Sequence, residues 1–379
     1  MSVFYKLESV PIHSVLLLPT QGEALNHPKG DMALGFCRAC GFISNVAFDP
    51  SPQEYSSRYE STQAFSPTFS AFAHRLATRL IDQYDLHGKD IIEIGCGQGE
   101  FLTMLCELGG NRGIGFDPAY VGGREESQAH SLVTFVRDFY SEKYADCRSD
   151  FVCCKMTLEH IPDTADFVST VRRSLGDQSD TIVFFQVPDV TRILRELAFW
   201  DIYYEHCSYF SPGSLARLFR KCGFDVMNLA VEYDGQYVMI EARPGDGRGG
   251  TFPEQEDDLE DLARDVAYFS ENCSHKLDAW RRDLQRIRQT EQRAVIWGAS
   301  SKGVAFLTTL GVRDEIEFAV DINPHKHGTY IAGSGQEIVG PEFLRTYRPD
   351  TVIVMNPIYC DEIRQQLDRM GVTADLISV

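Results

Sequence analysis

A chain of 379 residues with a 43% hydrophobic share has room for two or three cores. Its formal net charge of −19 speaks against a nucleic-acid backbone as the main partner, because phosphate binding wants a basic face. No apolar run approaches the length of a membrane span, and no charged-then-apolar leader opens the chain. Its eleven cysteines are therefore expected as free thiols in a reducing cytoplasm, not as a disulfide framework.

Residues 1–64 read as short apolar stretches broken by Pro11, Pro19, Pro28, Pro50 and Pro52. Within them Cys37-Arg38-Ala39-Cys40-Gly41 is half of a tetrahedral zinc site, and zinc needs four ligands. There is no second C-x-x-C, and nothing in the spacing of His13 and His27 recommends them as the missing pair. The expectation is a reduced turn without zinc. From Phe65 the stripe Phe69, Phe72, Leu76, Leu80 predicts a helix, packed on a sheet that begins at Ile91. A first α/β unit is expected over 65–244. Its fifth strand is Thr181–Pro188, a helix over Leu215–Cys222 stops at Gly223, and a closing hairpin turns at Asp234-Gly235. A glycine-rich acidic linker, 245–258, leads to a long helix from Leu259 to about Arg288. A second, Rossmann-like unit completes 259–379. Ala294–Trp297 runs into the small-residue loop Gly298-Ala299-Ser300-Ser301-Lys302-Gly303, with further strands at Ile316–Asp321, Thr351–Asn356 and Ala374–Val379. The start of the helix after that loop suits a substrate phosphate; a scaffold role is the alternative.

The first unit carries the densest signal. Ile91-Ile92-Glu93-Ile94 is an apolar strand bearing one carboxylate, followed by Gly95-Cys96-Gly97-Gln98-Gly99 and an amphipathic run. Glycines at alternate positions permit a sharp strand-to-helix turn and let a ligand lie on bare backbone. The spacing is G-x-G-x-G, not the G-x-G-x-x-G that cradles a pyrophosphate. A second strand ends at Asp117, 18 residues beyond Gly99, where an acid can bind a ribose diol. A third ends in Asp138-Phe139, a carboxylate for an amino group beside a ring for a base. The fourth, Asp150–Met156, is followed by Leu158-Glu159-His160-Ile161-Pro162-Asp163. Together these resemble the motifs of class I S-adenosylmethionine (SAM) methyltransferases. The resemblance implies an α/β, Rossmann-like sheet and assigns the cofactor to Glu93, Gly95, Cys96, Gly97, Gly99, Asp117, Pro118, Asp138, Phe139 and Lys155.

After the fifth strand comes Trp200-Asp201-Ile202-Tyr203-Tyr204-Glu205-His206-Cys207-Ser208-Tyr209-Phe210-Ser211. An imidazole beside a carboxylate amid aromatic walls, near the carboxyl edge of such a sheet, suits a general base. The segment resembles the signature of the sugar C-methyltransferases that act on nucleotide-linked 4-keto-deoxyhexoses. Those enzymes combine an N-terminal zinc knuckle, a SAM-binding core and a C-terminal Rossmann-like domain. The resemblance implies that His206 removes a proton α to a ketone, with Tyr203, Glu205, His160 and Tyr59 as the other active-site residues. Two departures stand out: Tyr204 replaces a histidine frequent there, and half of the zinc site, beyond Cys37 and Cys40, is missing. An N- or O-methyltransferase of another small metabolite on the same scaffold, and more distantly a non-catalytic SAM-binding protein, remain alternatives. The sequence leaves the oligomeric state open.

Overall fold

The computed structural model describes residues 1–53, 56–122 and 131–379. Three sheets organise them. The central one has seven strands. Asp90–Ile94 and Phe151–Lys155 lie side by side at its middle. On one flank follow Arg112–Phe116 and Val133–Val136, on the other Ile182–Pro188, Tyr237–Pro244 and Phe224–Glu232. Ranked along the chain the order is 3-2-1-4-5-7-6, parallel except for Tyr237–Pro244, which runs against both neighbours. The order reverses beside Asp90–Ile94, and a crevice opens there at the carboxyl ends of the strands.

The strand cores are apolar on both faces because both are covered. Helix Pro67–Tyr84 buries Phe72, Ala73, Leu76, Ala77, Leu80 and Ile81 against Ile91, Phe151 and Phe184. It starts two residues later than the stripe predicts, because Ser66 accepts from the Phe69 amide (3.2 Å) and Pro67 takes the first helical position. The third strand stops at Val136, so Asp138 and Phe139 lie just past it.

The C-terminal sheet is parallel throughout. Its order is Glu337–Val339, Phe318–Val320, Ala294–Trp297, Thr351–Val354, Asp375–Ser378, with its own reversal beside Ala294–Trp297. Glu337–Val339 is a strand the sequence reading did not foresee. The 31-residue helix Leu259–Gln289 buries a stripe from Leu262 to Ile287 at spacings of three and four. Its Trp280 ring meets Phe306 edge-on at 5.0 Å. Residues 245–258 are pinned: Arg220 Nε sits 2.7 Å from Glu256, Arg217 Nη2 2.7 Å from Asp258, and the Gly247 and Gly249 amides donate to Asp225.

Around the Cys37–Cys40 turn the N-terminal residues build a sheet of their own. Ser2–Pro11, Lys29–Phe36 and Ile43–Asn45 make an antiparallel sheet whose fourth strand is Ser208–Tyr209. That pairing, Ile43 with Tyr209 and Ser44 with Ser208, fixes the aromatic segment around His206 against the start of the chain. Its partner is too distant in sequence for local patterning to show.

Candidate active site

The glycine loop after Asp90–Ile94 turns through three left-handed residues, with φ of 69° at Gly95, 56° at Gly97 and 90° at Gly99. Asp117, at the next strand end, ties the turn down. One carboxylate oxygen accepts from the Gly97 amide (2.9 Å), the other from Ala119 (2.7 Å). Burial holds its carboxyl above the usual range, and these two amides oppose that. Cys96 is buried beneath the loop, while Pro118 is half-buried beside Asp117. Glu93 is 2% exposed, and burial raises its carboxyl to about 8 against the pull of Lys155. Its Oε2 has no hydrogen-bond partner. A buried acceptor without a donor, next to a glycine with open space over it, fits the amino-acid end of SAM. Lys155 Nζ lies 3.7 Å over the Phe101 ring; burial lowers its ammonium, against the pull of the Glu93 carboxylate. Asp138 sits on the open side. It accepts from Tyr144 Oη (2.7 Å) and from Lys143, which hold it below the usual carboxylate range. The neighbouring Phe139 ring is 61% exposed.

Beside this crevice the carboxyl ends of the parallel strands of the two sheets face each other across a cavity of about 260 Å³. His160, on a single 3-10 turn after Phe151–Lys155, and His206 meet edge-to-face at 4.8 Å. The Tyr203 ring lies 4.2 Å from that of His206, and all three line the cavity with Tyr59. Burial lowers the His160 imidazole to about 4 and carries His206 well below its ordinary value, helped by His160 and Lys302. Both rings are therefore neutral near pH 7, and His206 has a free electron pair.

Glu205 does not line the cavity. It accepts from the Ser14 amide (2.7 Å) and the Ser14 hydroxyl, and Tyr59 hydrogen-bonds to it. Ser14 Oγ in turn lies 2.7 Å from Ser301 Oγ. Glu205 thus clasps the N-terminal sheet to the loop of the C-terminal one and orients Tyr59 from behind.

The C-terminal sheet supplies cations to the far wall. Lys302 Nζ is 2.7 Å from Asp201, which Arg192 also meets at 3.1 Å. Lys326 stands 3.3 Å from Asp321. Asp321 accepts from the Ala299 amide (3.0 Å), repeating in this sheet what Asp117 does for Gly97. Residues 59–66 cross between the two crevices. Thr62 hydrogen-bonds to Glu100 at the start of the helix after the glycine loop. Asn323 donates to Glu60 (3.1 Å), and Ser66 Oγ meets Glu362 at 2.8 Å.

Cys37 and Cys40 form a knuckle around Gly41, whose amide donates to the Cys37 carbonyl (2.8 Å). Hydrogen bonds from Ala39 and Cys40 lower the Cys37 thiol. Among the described residues no third donor joins them in a metal-sized cluster; His13 and His27 pack on each other instead, at 5.6 Å. The sequence reading passed over Ser14, Arg192 and Asn323, which lie in unremarkable stretches. Asp201, Lys302 and Glu159 stood inside quoted segments without a role.

Family models match both units of the chain. A methyltransferase-domain model matches residues 68–229, and a model described as a C-methyltransferase C-terminal domain matches 252–374. The C-methyltransferase NovU of Streptomyces niveus is 25% identical over 86% of this chain and 80% of its own. A ubiquinone biosynthesis O-methyltransferase of Cupriavidus pinatubonensis is 28% identical, over 38% of this chain and 63% of its own. Among solved structures, the Burkholderia thailandensis 1,6-didemethyltoxoflavin-N1-methyltransferase, bound to S-adenosylhomocysteine, covers 46% of this chain and 79% of its own at 17% identity and a TM-score of 0.34. With matches along both units and a sheet of order 3-2-1-4-5-7-6, the chain is a class I SAM-dependent methyltransferase that resembles the C-methyltransferase family.

Proposed function

We propose that the enzyme methylates carbon α to a ketone in a small, nucleotide-sugar-like substrate, with His206 as the general base. The observation that carries this reading is a buried, neutral imidazole that faces a cavity between the cofactor crevice and a lysine-bearing wall. A carbon acid becomes nucleophilic only after losing a proton, so carbon methylation needs a base and a holder for the enolate oxygen. An oxygen or nitrogen nucleophile already has its electron pair. His206 takes the proton, and His160 or the Tyr203 hydroxyl donates to the enolate oxygen. Glu93, Asp117 and the glycine loop hold SAM, which supplies an electrophilic methyl group. Lys302 and Lys326 offer the charge that a substrate phosphate needs at the start of the helix after Ser300. The relative named for O-methylation matches only 38% of this chain, whereas the one named for C-methylation matches 86%.

In deuterated water, without SAM, the enzyme should exchange the α-hydrogen of a nucleoside diphosphate-linked 4-keto-deoxyhexose, read by mass spectrometry. Turnover with no exchange at carbon would favour the N- or O-methyltransferase alternative. Replacing Asp117 with Ala removes the acceptor of two loop amides and a ribose partner. SAM affinity by calorimetry should fall by about 1–3 kcal/mol, and wild-type affinity would remove Asp117 from the cofactor site.

A further inference from the structure

One buried group behind the cavity wall has no role in the mechanism above. Glu159 is 1% exposed, on the 3-10 turn that also carries His160, and neither carboxylate oxygen has a hydrogen-bond partner. A buried carboxyl with no donor is costly unless something answers it. The nearest base is His206, whose Nε2 lies 3.9 Å from Glu159 Oε1. The gap is one that active-site hydrogen bonds close when substrate binds.

We propose that Glu159 is the proton-coupled partner of His206: its carboxylate pairs with the imidazolium formed when the substrate's α-proton is taken. This inference rests on the carbon-acid reading of the site. The balance is simple. The α C–H bond breaks, its electron pair stays on the substrate as an enolate, and the proton moves to His206. The enolate pair forms the new C–C bond as the S–C bond of SAM breaks and leaves its electrons on sulfur. The imidazolium, paired with Glu159, then gives its proton to water. Glu159 is a positioning residue, since it touches the base and not the substrate.

The surroundings set the pH at which this pair works. Burial raises Glu159 to about 8, opposed only by its own amide. Besides His160, on the same turn and within 4.8 Å, the groups that face it are Cys154 from the strand before the turn, Tyr203 and Cys207 from the segment around His206, and Tyr237 from the antiparallel strand. Burial raises all four, so they are neutral at pH 8. His160 and Lys302 face His206 and lower it; Lys302 is paired with Asp201. Below about 8 the pair holds a proton on Glu159, and the imidazole has no anion to support it. Above that value the carboxylate is present and the base is stronger.

The test uses the whole enzyme, ring-15N-labelled at histidine, with S-adenosylhomocysteine. The His206 nitrogens should shift through a step near pH 8 while the ring itself stays neutral. The step should vanish in E159Q and persist in H160N. In the exchange assay with the same nucleotide-linked ketosugar, the wild-type rate should climb with a midpoint near 8, and the E159Q rate should be lower and flat. If E159Q does not fold, the wild-type spectra still decide, because a His206 signal flat across that range overturns the pairing. So does a step that survives in E159Q. One divalent ion per chain, retained through gel filtration and lost in H206N, would also overturn it. Glu159, His160 and His206 present donor atoms within 4.8 Å of one another, and a metal-bound imidazole has no free pair. Absence of exchange at every pH, with the spectral step intact, would instead count against the carbon-acid reading and leave the Glu159–His206 coupling standing.

Discussion

Asparagine in place of His206 is expected to leave SAM binding intact and to cut methyl transfer by about 10²–10⁴-fold, the usual contribution of a positioned general base. His206 is 4% exposed and packed between His160 and Tyr203, so a larger change would confuse chemistry with packing. Asparagine keeps a planar polar group of similar reach and removes the titratable nitrogen. The glycine loop, Glu93 and Asp117 are untouched, so calorimetry with SAM should match the wild type while single-turnover rates fall. The variant should also change acid stability. Burial depresses the imidazole of His206, so between about pH 6.5 and its folded value the unfolded chain binds the extra proton. Stability then falls as pH falls through that window, by up to about 1.4 kcal/mol per pH unit for each such histidine. His206→Asn should show a shallower fall, with the contribution of His160, lowered to about 4, remaining. Near-normal turnover in the variant would make His206 a packing residue and the N- or O-methyltransferase reading the better one.

The second large effect comes from separating two glycines that the motif treats alike. A Cβ at Gly95 would lie 2.0 Å from Thr157 Oγ1, whereas one at Gly97 would meet nothing within 4 Å. Both have positive φ, which costs an L residue roughly 1–2 kcal/mol. Gly97→Ala should therefore fold with only that modest loss, yet bind SAM at least about tenfold more weakly, because its methyl occupies the open space over the loop. Gly95→Ala should lose stability first, through the clash with Thr157 at the end of the neighbouring strand. Thermal melts with and without SAM distinguish the two. If Gly97→Ala still gains the wild-type increment in melting temperature with SAM, the cofactor does not lie on that glycine.

Much of this was legible in the chain because the signals were local. A carboxylate strand, alternating glycines and acids at successive strand ends sit within about 50 residues, and each obeys the geometry of one βα unit. Helix Pro67–Tyr84 and the long helix from Leu259 were legible by period. The N-terminal sheet was not, because Ser2–Pro11 has few buried residues on its outer half and the sheet's last strand, Ser208–Tyr209, comes from far along the chain. Glu205 shows the same limit. Its position next to His206 suggested a shared task, but Tyr204 and Glu205 form a turn closed by the His206 amide donating to the Tyr203 carbonyl, and the Glu205 carboxylate turns to Ser14. Glu159 looked like part of a loop signature, and its relation to His206 exists only in three dimensions.

The pairing of Ile43–Asn45 with Ser208–Tyr209 has a consequence for how the enzyme is made. The strands join positions 164 and 166 residues apart, and such closures are slow because loop entropy is lost before contacts repay it. During synthesis the first three strands emerge early and wait with an open edge. The glycine loop, Asp117 and the strands beside them are complete before residue 207 reaches that edge. His206 takes its place only once the edge is covered and Ser14 has met Glu205. A growing chain therefore gains its cofactor crevice before its base.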